Sequence, residues 1–249
     1  MANSRKSINP NSKQGKTLIA AFERALEEIL ARVVVSVGEP VAMAYSGGLD
    51  SSVLLNLAST VCRQRSVPLL AFHVHHGLSL NADAWLLHAR QACERLGAGF
   101  DFRRVSIGLF GGRGVEEAAR CARYAALGEM CRQHKVRLLL TAHHEDDQAE
   151  TVMLHWLRGA GLPGLAGMAA VQSKHLLLPD GVALGRPLLQ IPRAQLEQFA
   201  IDERIEFVND ESNADSRYRR NAVRHEVFPV IARHVEGYAD RKSTRLNSS

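Results

Sequence analysis

The sequence contains no apolar run approaching the roughly eighteen residues that a membrane helix needs. Its first sixteen residues, MANSRKSINPNSKQGK, lack the apolar centre of a signal peptide, so a cytoplasmic address is expected. None of the four cysteines (Cys62, Cys93, Cys121, Cys131) forms a C-x-x-C pair. That spacing argues against a zinc knuckle or a redox couple and for free, mostly buried thiols. A complete Walker A loop is also missing. Gln14–Thr17 reads QGKT, but Pro10 stands where the first glycine belongs, and no strand precedes it. Gly159–Gly164 (GAGLPG) fits G-x-G-x-x-G, yet it follows a helical pattern rather than a strand, which excludes a dinucleotide fingerprint. In HVHH, alternation puts His73 and His75 on one strand face, but no third ligand lies at useful spacing, so zinc is the weaker reading.

What is present is an ordinary globular composition: 249 residues, 46% hydrophobic and 23% charged, enough for one core and a small appendage. The formal net charge is +5, and the excess is local. From Arg217 onward there are eight Arg or Lys against three acids, the pattern of a face that meets an anionic polymer or of a solvated basic helix. Short apolar strands are expected at 41–45, 69–74, 100–107 and 138–142, alternating with helices at 17–32, 51–64, 83–96, 115–134 and 146–158. This alternation predicts an α/β, Rossmann-like, doubly wound and mainly parallel sheet, followed by a small helical extension. Further strands are expected at 174–178 and 182–184, and helices at 192–204 and 216–231. The expected layout is a disordered lead over 1–16, a nucleotide domain over 17–185 and a basic C-terminal part over 186–235. Residues 236–249 read as a disordered tail or a foreign end.

Every motif of interest follows a strand, where ligands bind in such sheets. The first is AYSGGLDSS, Ala44–Ser52. Glycines Gly47 and Gly48 let backbone approach an anion closely. The first helical N–H groups at Leu49, Asp50 and Ser51 would point at it, and Ser46 and Ser51 add hydroxyls. The simpler reading is a glycine turn with a helix cap. Asp50 needs a further reason, because a carboxylate beside phosphate is repelled unless a cation lies between them; Mg²⁺ satisfies that requirement. A second carboxylate source is TAHHEDDQAET, Thr141–Thr151, with Ala149, Val152, Met153, Trp156 and Leu157 expected as the buried stripe of its helix. Asp146 and Asp147 then sit in the first turn, where one of them could serve only as a helix cap.

SGGLDS resembles the PP-loop of the ATP pyrophosphatases. HVHHGLSLNADAW, EEAARCARYAAL, TAHHEDDQAETVMLHWLRGAGLPGLAGM and DESNADSRYRRNAVR resemble segments of the tRNA(Ile)-lysidine synthetase family, over roughly residues 17–235. The resemblance implies a ligase that uses ATP and Mg²⁺. The C2 oxygen of the first anticodon cytidine of a CAU-anticodon tRNA(Ile) attacks the α-phosphate, and free L-lysine then displaces AMP. It assigns pyrophosphate to the 46–51 loop and Mg²⁺ to Asp50 and Asp147. It turns Arg120 and Arg123 toward the nucleotide and target base, although a surface pair of Arg120 with Glu116 competes. His143 is a candidate substrate contact, or equally a buried structural histidine. Arg217, Tyr218, Arg219, Arg220 and Arg224 become the expected tRNA contacts, and a homodimer is among the assemblies admitted. Competing readings are a tRNA 2-thiolating PP-loop enzyme, which would need sulfur-handling cysteines, an amide-forming enzyme acting on a small molecule, and a nucleotide-binding module without chemistry.

Overall fold

The computed structural model describes residues 13–36, 38–77, 79, 81–105, 115–161, 165–209 and 219–234. Six strands form one sheet: β1 (Val41–Ala44), β2 (Leu69–His75), β3 (Gly99–Arg104), β4 (Leu138–Leu140), β5 (Val171–Gln172) and β6 (Ala183–Gly185). Their order is β3-β2-β1-β4-β6-β5. All neighbours pair in parallel except the edge strand β5, which runs antiparallel to β6. The helices are α1 (Lys13–Leu30), α2 (Leu49–Gln64), α3 (Ala82–Leu96), α4 (Val115–Gln133), α5 (Glu145–Leu157), α6 (Arg193–Asp202), α7 (Arg219–Ala222) and α8 (Phe228–His234). A π-helical turn, Val223–Val227, joins α7 to α8.

Alternation along the central strands builds both layers. Val41, Met43, Leu138 and Leu140 face one core with α1, α2, α3 and α6. Ala42, Leu139 and Leu184 face the other, filled by Tyr124, Leu127, Met130 and Cys131 of α4. With both faces covered, the central strands are apolar throughout, as the sequence predicts. The connection reverses direction at β1: β2 and β3 lie on one side of it, β4 and β6 on the other. The crevice between the carboxyl ends of β1 and β4 is therefore the switch point. Both chemistry-bearing turns, 45–50 and 141–147, open onto it.

The structure corrects several sequence-based expectations. Helix α1 starts at Lys13, inside the lead expected to be disordered. Residues 174–178 form a turn rather than a strand; Leu176 is 98% exposed, and the edge strand is the two-residue β5. The strand expected over 100–107 ends at Arg104, and 106–107 lie outside the described residues. Helix α5 does not bury the expected apolar stripe. Trp156 and Leu157 are 62% and 61% exposed, while Glu145, Asp147 and Glu150 are buried. The helix follows β4 and packs against the C-terminal segment, with Glu150 receiving Arg220 and Arg224, rather than into either core. Its inner side therefore meets polar partners, and none of its residues joins either core cluster.

Candidate functional site

Strand β1 delivers Tyr45 into the core at 2% exposure, and the chain then turns sharply into α2. Gly47 makes that turn at φ +87°, in the left-handed region that favours glycine. A Cβ there would also come within 3.1 Å of Val208 Cγ2. The loop is held from both sides. Val208 N donates to Gly47 O (2.9 Å) and Ser52 Oγ donates to the same carbonyl (3.2 Å). The His73 ring bonds Tyr45 O through Nδ1 (2.9 Å), so HVHH is a structural support for this loop. His75 Nε2 lies 3.2 Å from Asp83 Oδ1.

Ser51 Oγ donates to Gly48 O (3.0 Å) and also lies 3.0 Å from Ser46 Oγ, which accepts from Gly48 N at 3.3 Å. Ser51 is buried and engaged in holding the loop, while Ser46 is exposed. The first intrahelical bond runs from Ser52 N to Gly48 O (2.9 Å). The N–H groups of Leu49, Asp50 and Ser51 have no intrahelical carbonyl to bond, which leaves an anion cradle at the positive end of α2.

Across the crevice, His144 is the hub. It is 1% exposed, and its Nε2 lies 3.7 Å from Asp50 Oδ2 and 3.4 Å from Asp147 Oδ2. The structure thus brings Asp50 and Asp147 to one imidazole from the turns after β1 and β4. Burial pushes the Asp50 carboxyl above its ordinary range, with Asp147 adding repulsion; His144 and Arg193 oppose the rise only in part. Burial alone would push Asp147 up too, but His144, Arg220 and His143 outweigh it and hold that carboxyl low.

Asp146 and Asp147, neighbours in the first turn of α5, make different contacts. Asp147, three residues into α5, accepts from the amide of the N-cap residue His144 through Oδ2 (3.0 Å), one half of a capping box. Asp146 Oδ2 lies 3.8 Å from His144 Nδ1 and accepts from Arg193 N (3.1 Å), which serves the start of α6. His143 Nδ1 pairs with Thr141 Oγ1 (2.9 Å). Burial, reinforced by Arg186 and Arg220, drives the His143 pKa down to about 4, so its ring is neutral near pH 7.

The basic C-terminal helix does not present all its arginines to solvent. Arg220 Nε donates to Glu150 Oε2 (2.7 Å), and its Nη2 lies 3.2 Å from Asp147 Oδ1. Arg224 Nε donates to Glu150 Oε1 (2.6 Å), and its Nη2 to Glu150 Oε2 (3.2 Å). These two residues therefore belong to the wall of the carboxylate site. Arg219 opens α7; Arg217 and Tyr218 lie outside the described residues. Arg120 stands apart, half exposed, 3.6 Å from Glu117, and its guanidinium lies 5.3 Å above the Tyr124 ring; the side chain of Glu116, its expected partner, lies outside the described residues. Tyr124 stacks on His175 with centroids 4.3 Å apart.

Three functional candidates lie outside the sequence-predicted set: His144, Glu150 and Arg186. His144 and Glu150 fall inside the quoted TAHHEDDQAET, at helix positions i and i+6, with Asp147 midway. The i, i+3 spacing of Asp147 and Glu150 puts both on one helix face, a signal that the expected apolar stripe obscured.

A family model described as a PP-loop domain matches residues 18–231. The tRNA(Ile)-lysidine synthase of Burkholderia mallei is 50% identical over 201 residues, covering 81% of this chain and 40% of that protein. The enzyme of the same name from Ralstonia nicotianae is 48% identical over 211 residues, 84% of this chain and 44% of that one. The chain thus spans about two fifths of the length of these curated relatives. Among solved structures, the U34-tRNA thiolase NcsA from Methanococcus maripaludis, with its 4Fe-4S cluster, superposes with a TM-score of 0.72 at 19% identity. It covers 91% of this chain and 77% of that one, a likeness of fold. Glycine loop, switch-point crevice and family match agree: the chain belongs to the PP-loop domain family, alongside the tRNA(Ile)-lysidine synthases.

Proposed function

We propose that this protein is the cytoplasmic ligase that joins lysine to C2 of the first-position cytidine in the CAU anticodon of tRNA(Ile). The observation that carries the reading is the meeting of the 46–51 anion cradle with Asp50, His144 and Asp147 in one crevice. The names of the relatives narrow the substrate. In the first step the cytidine C2 oxygen bonds to the α-phosphorus of ATP while the α–β P–O bond breaks, releasing pyrophosphate into the cradle. In the second, the lysine ε-amine bonds to C2 and loses a proton, and AMP departs with the electrons of the C2–O bond.

The residues suit a Mg²⁺ ion. Asp50 Oδ1 and both ring nitrogens of His144 are buried without a hydrogen-bond partner. Among the described residues no group of three or more His, Cys, Asp or Glu could hold a metal. A two-carboxylate site completed by phosphate oxygens is, however, how Mg²⁺ binds beside nucleotides. Asp50 and Asp147 are the proposed ligands, and the ion would neutralise charge on the phosphates. Asp147 now engages Arg220 and Arg224 through Oδ1, so holding the ion requires that carboxylate to share its contacts.

Three of the four cysteines oppose the thiolating alternative. Cys62, Cys93 and Cys131 are buried, and burial pushes their thiols up to about 11, 12 and 12. Such thiols are poor sulfur carriers at neutral pH.

The test is incubation with labelled lysine, ATP and unmodified tRNA(Ile). Lysine label in the tRNA, with AMP and pyrophosphate formed, is expected. ATP consumption without label overturns the reading. A narrower expectation concerns the cradle: Ser46→Ala removes one exposed donor to the leaving pyrophosphate and should slow adenylation roughly ten- to a thousand-fold. Unchanged adenylation with weakened tRNA binding would assign the loop to another ligand.

A further inference from the structure

Arg186 follows β6 directly, on the far side of β4 from the PP-loop. It is 6% exposed, yet among the described residues no carboxylate pairs with it. Its guanidinium donates from Nη1 to Ala169 O (2.7 Å) and from Nη2 to Gln172 Oε1 (3.0 Å). Nε is buried without a partner. A guanidinium carries five N–H donors, so three remain without a described acceptor. A buried cation without a counter-charge is costly, and structures rarely tolerate one without use.

No carboxylate is among the charges that act on Arg186 itself. Arg186 depresses the basicity of His143 and His175, and among the charges that act on Arg186 is Arg120. Tyr124, stacked on His175 beneath Arg120, belongs to the same niche. The niche thus combines fixed positive charge, spare N–H donors and aromatic rings; the acids nearest to it are engaged elsewhere, Glu117 with Arg120 and Asp147 with Arg220 and Arg224. Two strand spacings of about 4.8 Å separate the end of β6 from that of β1. The two strand ends are thus separate places along the carboxyl edge of the sheet.

From this we infer that Arg186 receives a backbone phosphate of the RNA next to the reacting cytidine, in a subsite walled by Arg120, Tyr124, His143 and His175. The inference rests on the proposed function and adds a residue that fixes the RNA rather than the nucleotide. Arginine suits this because its planar fork binds phosphate in bidentate fashion.

The test uses tRNA assembled by ligation with a single neutral methylphosphonate at either phosphate flanking the target cytidine. One substitution should lower wild-type affinity about tenfold, and Arg186→Gln should lower affinity for unmodified tRNA by the same factor. The salt slope of binding should fall by about one in each case. The two changes together should cost no more than either alone, and ATP affinity without RNA should be unchanged. Additive losses overturn the assignment. So does a loss of ATP affinity with intact RNA binding, which would make the oxyanion the nucleotide's. If Arg186→Gln does not fold, the wild-type protein still decides: full affinity at both methylphosphonates overturns the inference. If unmodified tRNA neither binds nor takes up labelled lysine, the proposed function fails, and this assignment with it.

Discussion

Asp50→Asn is expected to reduce ATP-dependent adenylation by on the order of 10²–10³-fold or more, while the protein remains folded and at least as stable. The substitution keeps the shape of the side chain in the first turn of α2 and removes its charge. Burial and Asp147 raise the Asp50 carboxyl, so the fold disfavours the ionised form at neutral pH. A carboxyl raised by folding costs stability as pH rises from its unfolded pKa through its folded one, and a neutral amide avoids that cost. Activity and stability should therefore move in opposite directions. That separates a residue retained for chemistry from one retained for structure. Pyrophosphate exchange across a Mg²⁺ titration, beside a thermal melt, reads both quantities. Near-normal exchange with unchanged Mg²⁺ dependence would remove Asp50 from the cation site. A marked fall in melting temperature would make it a structural acid.

The sheet was legible because its signal is local. Each central strand is a short apolar run bounded by turn residues, and every helix packed on a sheet face shows the 3.6-residue stripe. Leu18, Phe22, Leu26 and Ile29 of α1 are all buried, as their spacing requires. The glycine loop was legible for the same reason: its conformation depends on residues adjacent in sequence, with Gly47 in the left-handed region. The errors fall where a long-range partner decides. Trp156 and Leu157 continue a helical stripe, but α5 packs against the C-terminal segment rather than into either core, and nothing in its own sequence reports that. Glu150 looks like a solvated acid until Arg220 and Arg224, about seventy residues later, are placed against it. Asp146 and Asp147 are neighbours with the same chemistry. Their roles diverge because the α6 N-terminus comes within 3.1 Å of one and the His144 amide within 3.0 Å of the other.

The same long-range contacts make Glu150 the residue whose loss should be felt most by the fold. Its side chain is fully buried and receives Nε of both Arg220 and Arg224 at 2.7 and 2.6 Å. Glu150→Gln keeps the volume but leaves two guanidinium groups facing a neutral amide, part of which is itself a donor. Breaking a buried ion pair from one side costs about 3–5 kcal/mol. The arginines are 33% and 24% exposed, which places the expected loss near the lower end, about 3 kcal/mol. The loss should be local first. Among the described residues of the 219–234 segment, only Val223 and Phe228 are buried apolar anchors, so the ion pairs carry much of its attachment. Amide hydrogen exchange over residues 219–234 should accelerate well before exchange in β1 or β4. Asp147 would then be left with a less ordered partner in Arg220, so adenylation should fall as well. Arg220→Gln in the Glu150→Gln background should restore part of the protection, because one cation is then removed while Arg224 stays with Asp147. Unchanged exchange over 219–234 in the single variant would mean that apolar contacts alone hold this helix against the site.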